Sequence, residues 1–488
     1  MDVITGFKTV TGEVQKIDPN VIALGSPIPN DGDVLSYKDE TIKWTTPIVL
    51  SAGTIELEYN DDLPTNTIRF NFEKDYFPIG LTTKGTWTKT NLTDLPEYSA
   101  YDSIWDWTCE DENWYDVFDG VLNIQEFKSI ITADISNVTS LNNTFANNNF
   151  TSFPELNYEH VLNMNATFSG SNLNEITLTN VDNVSSMSYT FKGCAQLTSI
   201  NDLNLPSVTS LDGTFSGCVK LNTISIPNAS SCEIMTNIFN NCYNLVDIQT
   251  LDTSNVLTLN HSFANCSSLK TIPQLNTSAC QSCYSTFENC VNLTKIPLID
   301  TSNVTSIYYM FRNCSSLETI PQLNTSVCKN MYCTFSGCNK LTGIPLLDMS
   351  NVTSMSYTFS NCSSLETIPQ LNTSACKDMD GMLKNCISIT SIPTLDTSNV
   401  TSINSLCVNC SSLTSIPLFN FTNKLIYIGS AFSACVNVVS GALDLYESLS
   451  SYSTLQHAYT FTDCGSNTET GIIELNQIPT SWGGLKQN

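Results

Sequence analysis

The chain has 488 residues, enough for several ordinary domains or for one long array of repeats. Its 20 lysine and arginine residues are outnumbered by 46 aspartate and glutamate residues, which gives a formal net charge of −26. This balance excludes nucleic acid as a partner, because nucleic-acid binding needs clustered positive charge. The sequence contains no apolar run long enough to span a membrane, so we expect no membrane insertion.

The first residues, Met-Asp-Val-Ile-Thr-Gly, contain neither the basic nor the apolar segment of a secretory signal peptide. We therefore expect a protein that folds in the cytoplasm and either stays there or leaves the cell by another route, such as in a virus particle.

Residues 1–47 differ from the rest of the chain and contain Gly-Asp33-Val34-Leu35-Ser-Tyr37, followed by Lys-Trp44-Thr-Thr-Pro. This stretch resembles a short segment near the N-terminus of many phage head and tail fibres, where it forms a small intertwined collar. The resemblance implies that these five numbered residues attach the chain to other virion proteins. A polar segment this small cannot bury a core alone, so we expect a homo-oligomer, with a trimer favoured.

Two short regions precede the repeats. Residues 48–100 alternate apolar and polar side chains, as in Thr67-Ile-Arg-Phe-Asn-Phe72, and this alternation predicts the strands of a small β domain. Residues 101–130 are rich in aromatic side chains, including Trp105, Trp107, Trp114 and Phe118. We expect this second region to cap the open end of the repeat core.

Residues 131–435 repeat with a period of 24 residues. A typical repeat has a phenylalanine, a cysteine three residues later and a leucine three residues after that, followed by Ile-Pro and then by Asp/Asn-Thr-Ser. Leu383 and Cys407 replace the phenylalanine in two repeats. The cysteines that define the period are Cys194, Cys218, Cys242, Cys266, Cys290, Cys314, Cys338, Cys362, Cys386 and Cys410. A fixed period of this length predicts an α+β solenoid of stacked units, each with a short strand around Ile-Pro and a short helical or 3₁₀ piece around the phenylalanine. Proline in the strand argues against regular pairing there.

Blocks such as Phe359-Ser-Asn-Cys362-Ser-Ser-Leu365-Glu-Thr-Ile-Pro369 resemble the leucine-rich repeats of the BspA-like or Treponema type. The related repeats of mycoplasma-type surface proteins are similar as well. The resemblance covers about two thirds of the chain and implies a curved solenoid used in adhesion and recognition, without catalysis. Residues 436–488 are predicted to cap its C-terminal end, partly as a helix.

The cysteine column is interpreted as core packing. Stacked residues lie about 4.8 Å apart, beyond the usual Cβ separation in a disulfide, and each thiol in a ladder has two equal neighbours. The pairs Cys280/Cys283 and Cys407/Cys410 lie too many repeats apart to share a zinc ion. Many reduced, buried thiols indicate folding in a reducing compartment.

No arrangement of residues indicates catalysis or a cofactor. The three histidines, His160, His261 and His457, have no catalytic motif around them. Aspartates recur at alternate repeats, for example Asp300 and Asp348, and could suggest calcium. Asx turns that cap main-chain amides explain them better. We therefore predict no cofactor, no metal and no enzymatic activity.

Tyrosines cluster just before the core phenylalanine. Tyr284, Tyr308 and Tyr332 occupy one position in successive repeats, and Tyr309 and Tyr357, like Tyr189, lie one place later. If exposed, they form an aromatic stripe that can stack on sugar rings. The alternative is that they only pack over the turns of the repeat.

These observations favour a phage fibre or spike on the virion surface, bound to other virion proteins through residues 1–47. Its solenoid would then contact a glycan or protein of the host cell surface. The alternative is a BspA-like adhesin or interaction scaffold on the bacterial cell surface. A polysaccharide depolymerase comes third, because the repeats offer no distinctive pair of carboxylates.

Overall fold

A computed structural model describes residues 127–487 continuously, and before them 67–72, 87–92, 103–109, 112, 114 and 117–119. Further upstream it describes only the backbone pairing of five strands. The chain divides into two compact units, Met1–Pro64 and Thr65–Asn488.

The first unit contains strands β1 (Ile4–Lys8), β2 (Val14–Lys16), β3 (Val34–Lys38), β4 (Thr41–Thr45) and β5 (Leu57–Tyr59). Strands β2, β1 and β5 form an antiparallel sheet in that order. Strands β3 and β4 form a separate antiparallel pair, in which Leu35 lies opposite Trp44 and Tyr37 opposite Ile42.

The second unit begins with an antiparallel sheet of strands β6 (Thr67–Phe72), β7 (Trp87–Asn91), β8 (Ser103–Cys109) and β9 (Phe127–Ala133), in the order β7-β8-β6-β9. The sheet therefore takes strands from both sides of residue 100. Between its two central strands, Arg69 and Asp106 form a buried ion pair with a 2.8 Å contact. Phe118 stacks on Phe145 of the first repeat at 5.7 Å between ring centroids, so this aromatic region contacts the open end of the repeat core.

The repeats follow, and their strands are few. Parallel pairs join β10 (Leu156–Asn157) to β12 (Leu178–Thr179), β11 (Glu175–Ile176) to β13 (Ser199–Ile200), and β14 (Thr223–Ile226) to β15 (Asp247–Leu251). Within the described part of the chain, no Ile-Pro segment after Leu251 forms a strand. Proline has no N–H to donate, which explains this loss of pairing.

The repeats are joined instead through the turn around the phenylalanine. We number positions in each repeat from this residue, which is position 0. The main-chain N–H groups of positions −4, −2, 0 and +2 donate to carbonyls of the next repeat. In the repeat of Phe335, the donors Met331, Cys333, Phe335 and Gly337 make bonds of 3.1, 3.0, 2.9 and 2.7 Å. Alternate N–H groups of the same turn close it internally, such as Cys338 to the Phe335 carbonyl at 3.1 Å.

This turn requires left-handed backbone at two positions, −2 and +2, in every repeat. Position +2 is filled mainly by glycine and asparagine, the residues that adopt positive φ at least cost. They are Asn147, Gly170, Gly193, Gly217, Asn241, Asn265, Asn289, Asn313, Gly337, Asn361, Asn385 and Asn409. Several of these asparagines also form a ladder of side-chain amide bonds, such as Asn289 to Asn265 at 2.8 Å.

The predicted helical piece at the phenylalanine is therefore wrong. Two left-handed residues four positions apart interrupt the helical geometry, and alternate N–H groups bond to the next repeat instead of to their own turn. In the described residues, the helices are α1 (Ala442–Leu449), α2 (Glu469–Leu475) and a short 3₁₀ turn at Thr480–Trp482. None of them is long and apolar enough to cross a membrane.

The core is a continuous ladder of phenylalanine rings. From Phe118 to Phe359, neighbouring rings are stacked with centroids 5.2–5.8 Å apart. Leu383 and Cys407 fill the same buried position further along. The stack also extends one repeat beyond residue 435, because Phe461 stacks on Phe432 at 6.4 Å. Helix α1 is inserted before Phe461 and displaces it from the 24-residue spacing.

From Cys194 onward, all cysteines are buried and free, as the core interpretation requires. Those at position +3 also have a role that the sequence did not reveal. Each thiol donates to the carbonyl of position 0 in the preceding repeat, for example Cys314 to Phe287 at 3.0 Å. Ser171 and Asn148 occupy position +3 in earlier repeats and make the same bond, to Phe145 and Phe118. The position therefore selects a small buried donor, not only an apolar side chain.

We expect Cys314→Ser to be more stable than Cys314→Val. Serine keeps the donor that Ser171 supplies elsewhere, whereas valine has the right size but cannot donate, which costs about 1 kcal/mol per lost bond. Chemical denaturation of the full chain measures the difference. A valine variant as stable as the serine variant would show that the thiol acts only by its size.

Candidate recognition surface

The five predicted tyrosines lie on one face of the repeat stack and are all partly exposed. We call Tyr284, Tyr308, Tyr309, Tyr332 and Tyr357 the tyrosine surface. Positions −3 and −2 carry these side chains because they directly precede the buried residues of the turn.

The rings at position −3 mostly cover one another. Tyr284 and Tyr308 stack almost parallel, with an interplanar angle of 7° and centroids 4.8 Å apart. Each ring hides one face of the other, so this pair offers mainly edges and hydroxyl groups to a ligand.

The rings at position −2 stand at a steep angle to those at −3 and connect them. Tyr309 meets Tyr332 edge to face at 5.3 Å, and Tyr332 meets Tyr357 in the same way at 6.1 Å. Arg312 lies 5.0 Å from the Tyr309 ring centroid and pairs with Glu288 at 3.1 Å. The result is a continuous aromatic band across four successive repeats.

Position −2 has left-handed backbone, so a tyrosine there is unusual. The φ angles of Tyr189, Tyr309 and Tyr357 are 60°, 58° and 55°. A bulky side chain in this conformation costs roughly 1 kcal/mol relative to glycine or asparagine. Other repeats place Gly213, Asn237 or Gly381 at the same position, so the turn itself does not need tyrosine.

Two of these tyrosines lie across a glycine of the next repeat. A Cβ atom on Gly213 would come within 2.5 Å of the Tyr189 ring, and one on Gly381 would clash with the Tyr357 ring. One face of each ring therefore covers the glycine backbone. Each tyrosine and its glycine are 24 positions apart in the sequence, in neighbouring repeats. Their contact is visible only in the structure.

An aspartate precedes each of these glycines. The Tyr189 hydroxyl donates to Asp212, and this bond raises the pKa of Tyr189 to about 12. Asp380 accepts a hydrogen bond from the Asn404 N–H at 2.7 Å and another from the Ser402 hydroxyl. Burial and the nearby Asp378 carboxylate nevertheless raise the pKa of Asp380.

The recurring aspartates of the Asx column have a structural role. Asp300 accepts from the Ser302 N–H at 2.8 Å, and Asp348 accepts from the Ser350 N–H at 2.9 Å. Hydrogen bonds from the Ser302 and Ser350 side chains, together with these N–H bonds, lower the pKa of both carboxyls. The expected Asx turns are present. Where the structure is described, no group of three or more His, Cys, Asp or Glu side chains could hold a metal ion.

The histidines and cysteines form no reactive site in the described residues. His261 contacts Tyr284 edge to face, His457 stacks on Trp482, and His160 is exposed. Burial raises the pKa of repeat thiols such as Cys290, to about 12. Cys280 is different, because a hydrogen bond from Cys283 lowers its pKa. Both of these thiols are nevertheless buried, next to a small internal cavity.

The residues predicted to attach the chain to a virion lie in the first unit. Val34, Leu35 and Tyr37 are in β3 and Trp44 is in β4, whereas Asp33 lies outside the described residues. Their role remains a prediction from sequence resemblance.

Two parts of the repeat region match known protein families. Residues 162–277 match a family described as a BspA type leucine rich repeat region. Residues 232–346 and 329–440 also match a family described as Mycoplasma protein of unknown function, DUF285. Both BspA-type and mycoplasma-type repeats were expected from the sequence.

Three solved structures are similar to part of the chain. One from Eubacterium ventriosum is 18% identical, with 60% of this chain and 78% of that chain covered and a TM-score of 0.31. The T. pallidum leucine-rich repeat protein is 18% identical, with 43% and 82% covered and a TM-score of 0.25. Pneumococcal vaccine antigen PcpA is 16% identical, with 64% and 82% covered and a TM-score of 0.33. No curated protein sequence matches the chain.

We expect Asp380→Asn to stabilise the protein at neutral pH. The raised pKa means that the ionised carboxylate is disfavoured in the folded state, so the penalty is complete above that pKa. The penalty is relieved as the pH falls through the pKa of the folded state, and it vanishes below the ordinary pKa of 3.8. Denaturation from pH 7 to pH 3 should show the variant's advantage shrinking with acidification. An advantage that is constant or grows would contradict this account.

Proposed function

We propose that this protein is a non-enzymatic adhesin whose repeat stack presents the tyrosine surface to a glycan or protein on a host cell surface. The BspA-type repeats support a binding role, because families of this kind are generally binding scaffolds. The proposal locates the protein on the bacterial cell surface.

The observation that carries the proposal is the clustering of five partly exposed tyrosines into one continuous aromatic band across four successive repeats. Partly exposed tyrosines bring a large apolar face together with a polar hydroxyl, the combination that is enriched at interfaces.

A narrower alternative is a phage fibre attached through residues 1–47. It rests on the resemblance of the segment around Asp33 to Trp44. The family matches begin at residue 162 and concern the repeats, so they favour the adhesin over the fibre. A homo-oligomer, with a trimer favoured, remains part of the fibre hypothesis.

The proposal is tested by measuring how the fluorescently labelled full chain binds to animal epithelial cells and to bacterial cells. We expect binding to epithelial cells that falls about thirtyfold in Tyr308→Ala/Tyr332→Ala, since central aromatic contacts often contribute about 2 kcal/mol. The matched control is Tyr243→Ala, which removes a tyrosine that is 46% exposed and outside the tyrosine surface.

Unchanged epithelial binding by the double variant would refute a role for the tyrosine surface. Binding to bacterial cells alone would replace the adhesin with the fibre.

A further inference from the structure

One arrangement of side chains occurs twice in the repeat stack, seven repeats apart. Tyr189 at position −2 is followed, in the next repeat, by Asp212 at −3 and Gly213 at −2. Tyr357 is followed in the same way by Asp380 and Gly381. We call these two groups the Tyr–Asp–Gly sites. Tyr309 differs, because its next repeat has Tyr332 and Cys333 at these positions.

The absence of a Cβ atom at the glycine lets each tyrosine ring lie against the backbone of the next repeat. The Gly213 and Gly381 positions have φ of 57° and 56°, and any Cβ there would collide with the ring. One ring face covers the glycine, and at the first site the exposed Lys192 side chain places its ammonium over the Tyr189 ring, 5.1 Å from the centroid. Tyr189 is 37% exposed. Each site therefore offers a flat apolar platform, which the stacked pair Tyr284/Tyr308 does not.

The stack does not require the charge of the aspartate beside each platform. Other repeats have asparagine at position −3 and make the same inter-repeat bonds with a neutral side chain. Asn260 accepts from the Tyr284 N–H at 3.1 Å and from the Ser282 hydroxyl at 2.8 Å. Asn165 likewise accepts from the Ser188 N–H at 3.0 Å. Aspartate in place of asparagine adds only a carboxylate next to the ring.

The two carboxylates are bonded differently within the chain. Oδ2 of Asp212 accepts from the Tyr189 hydroxyl, and its Oδ1 is buried and has no hydrogen-bond partner in the described part of the chain. Asp380 has Asp378 as a close neighbour, and neither forms an ion pair with a described residue. A carboxylate beside an aromatic ring favours a ligand with hydroxyl donors.

We propose that the two Tyr–Asp–Gly sites are copies of one subsite for an uncharged pyranose ring of a host glycan. This inference rests on the proposed function and names its ligand class. The apolar face of the sugar stacks on the tyrosine ring, and a ring hydroxyl donates to the aspartate. At the first site, the exposed Lys192 ammonium, 5.1 Å from the Tyr189 centroid, can donate to a second sugar oxygen. Anionic sugars are disfavoured by the carboxylates and by the net charge of −26.

The two sites can act together on one ligand. Seven repeats at about 4.8 Å each separate them by roughly 34 Å. A long or branched glycan can occupy both sites at once, and linked sites gain affinity of about a hundredfold or more over either alone. We therefore expect weak binding of single sugars and much tighter binding of polymers.

The experiment measures binding of the full chain to immobilised neutral polysaccharides: a mannan, a galactan and a glucan. A sialylated glycan is the anionic comparison and a glucosamine oligomer the cationic one. We expect wild-type protein to bind at least one neutral polymer, with affinity about a hundredfold lower in Tyr357→Ala, which leaves one site, and lower still in Tyr189→Ala/Tyr357→Ala.

Two further variants separate the site from the fold. Asp212→Asn/Asp380→Asn should keep the stack intact, as Asn165 and Asn260 do, yet lose at least tenfold in affinity. Gly213→Ala should displace the Tyr189 ring and weaken binding. Its matched control is Gly193→Ala, which has the same left-handed backbone, with φ of 74°, and no ring within contact distance. The control should bind as wild type does.

Each outcome decides between the claims. Neutral-polymer binding that is unchanged in the double tyrosine variant, or a preference for the sialylated glycan or the glucosamine oligomer, overturns the inference. Failure to bind any neutral polymer, together with epithelial binding that depends on Tyr308 and Tyr332, overturns the inference but leaves the proposed function standing. Failure to bind any neutral polymer, together with epithelial binding that does not depend on Tyr308 and Tyr332, overturns both the inference and the proposed function.

Discussion

The feature on which the rest of the structure depends is the set of main-chain hydrogen bonds between successive phenylalanine turns. Their donors are the N–H groups of positions −4, −2, 0 and +2, and their acceptors lie in the next repeat. These bonds hold neighbouring turns in register, so the core phenylalanines stack and the thiols at +3 reach the carbonyls behind them. They also fix the direction in which the side chains at −3 and −2 leave the stack.

The same constraint explains the composition of the chain. Charged residues make up only 14%, and asparagine, serine and threonine take their place. Left-handed positions select asparagine and glycine, and buried turns select small donors such as Thr334, whose hydroxyl bonds to the Ile307 and Met331 carbonyls. Since the stack needs so few charges, the aspartates of the Tyr–Asp–Gly sites stand out as residues that folding does not require.

Much of the repeat could be predicted because its side chains recur along the sequence. The phenylalanine and cysteine positions, the Asx turns and the loss of pairing at proline all follow from residue types at fixed spacing. The helix at position 0 was predicted wrongly, since the path of the backbone is set by bonds to the next repeat and not by local preference. Glycine or asparagine at +2, as in Gly337 and Asn361, was the available indication of left-handed backbone. The repeat of Phe461 was missed because helix α1 breaks the spacing. The tyrosines were found from sequence, but which ring offers a free face depends on a glycine in the next repeat.

Amide hydrogen exchange, resolved by residue in the full chain, tests the central claim most directly. If the phenylalanine turns hold the stack together, the amides of Cys333, Phe335 and Gly337 and their counterparts should be among the slowest to exchange, because each is bonded to the next repeat. The exposed amides after each Ile-Pro, such as Gln322 and Gln370, should exchange orders of magnitude faster. Fast exchange in the turns with slow exchange in the Ile-Pro segments would show that the strands hold the stack, and would contradict this account.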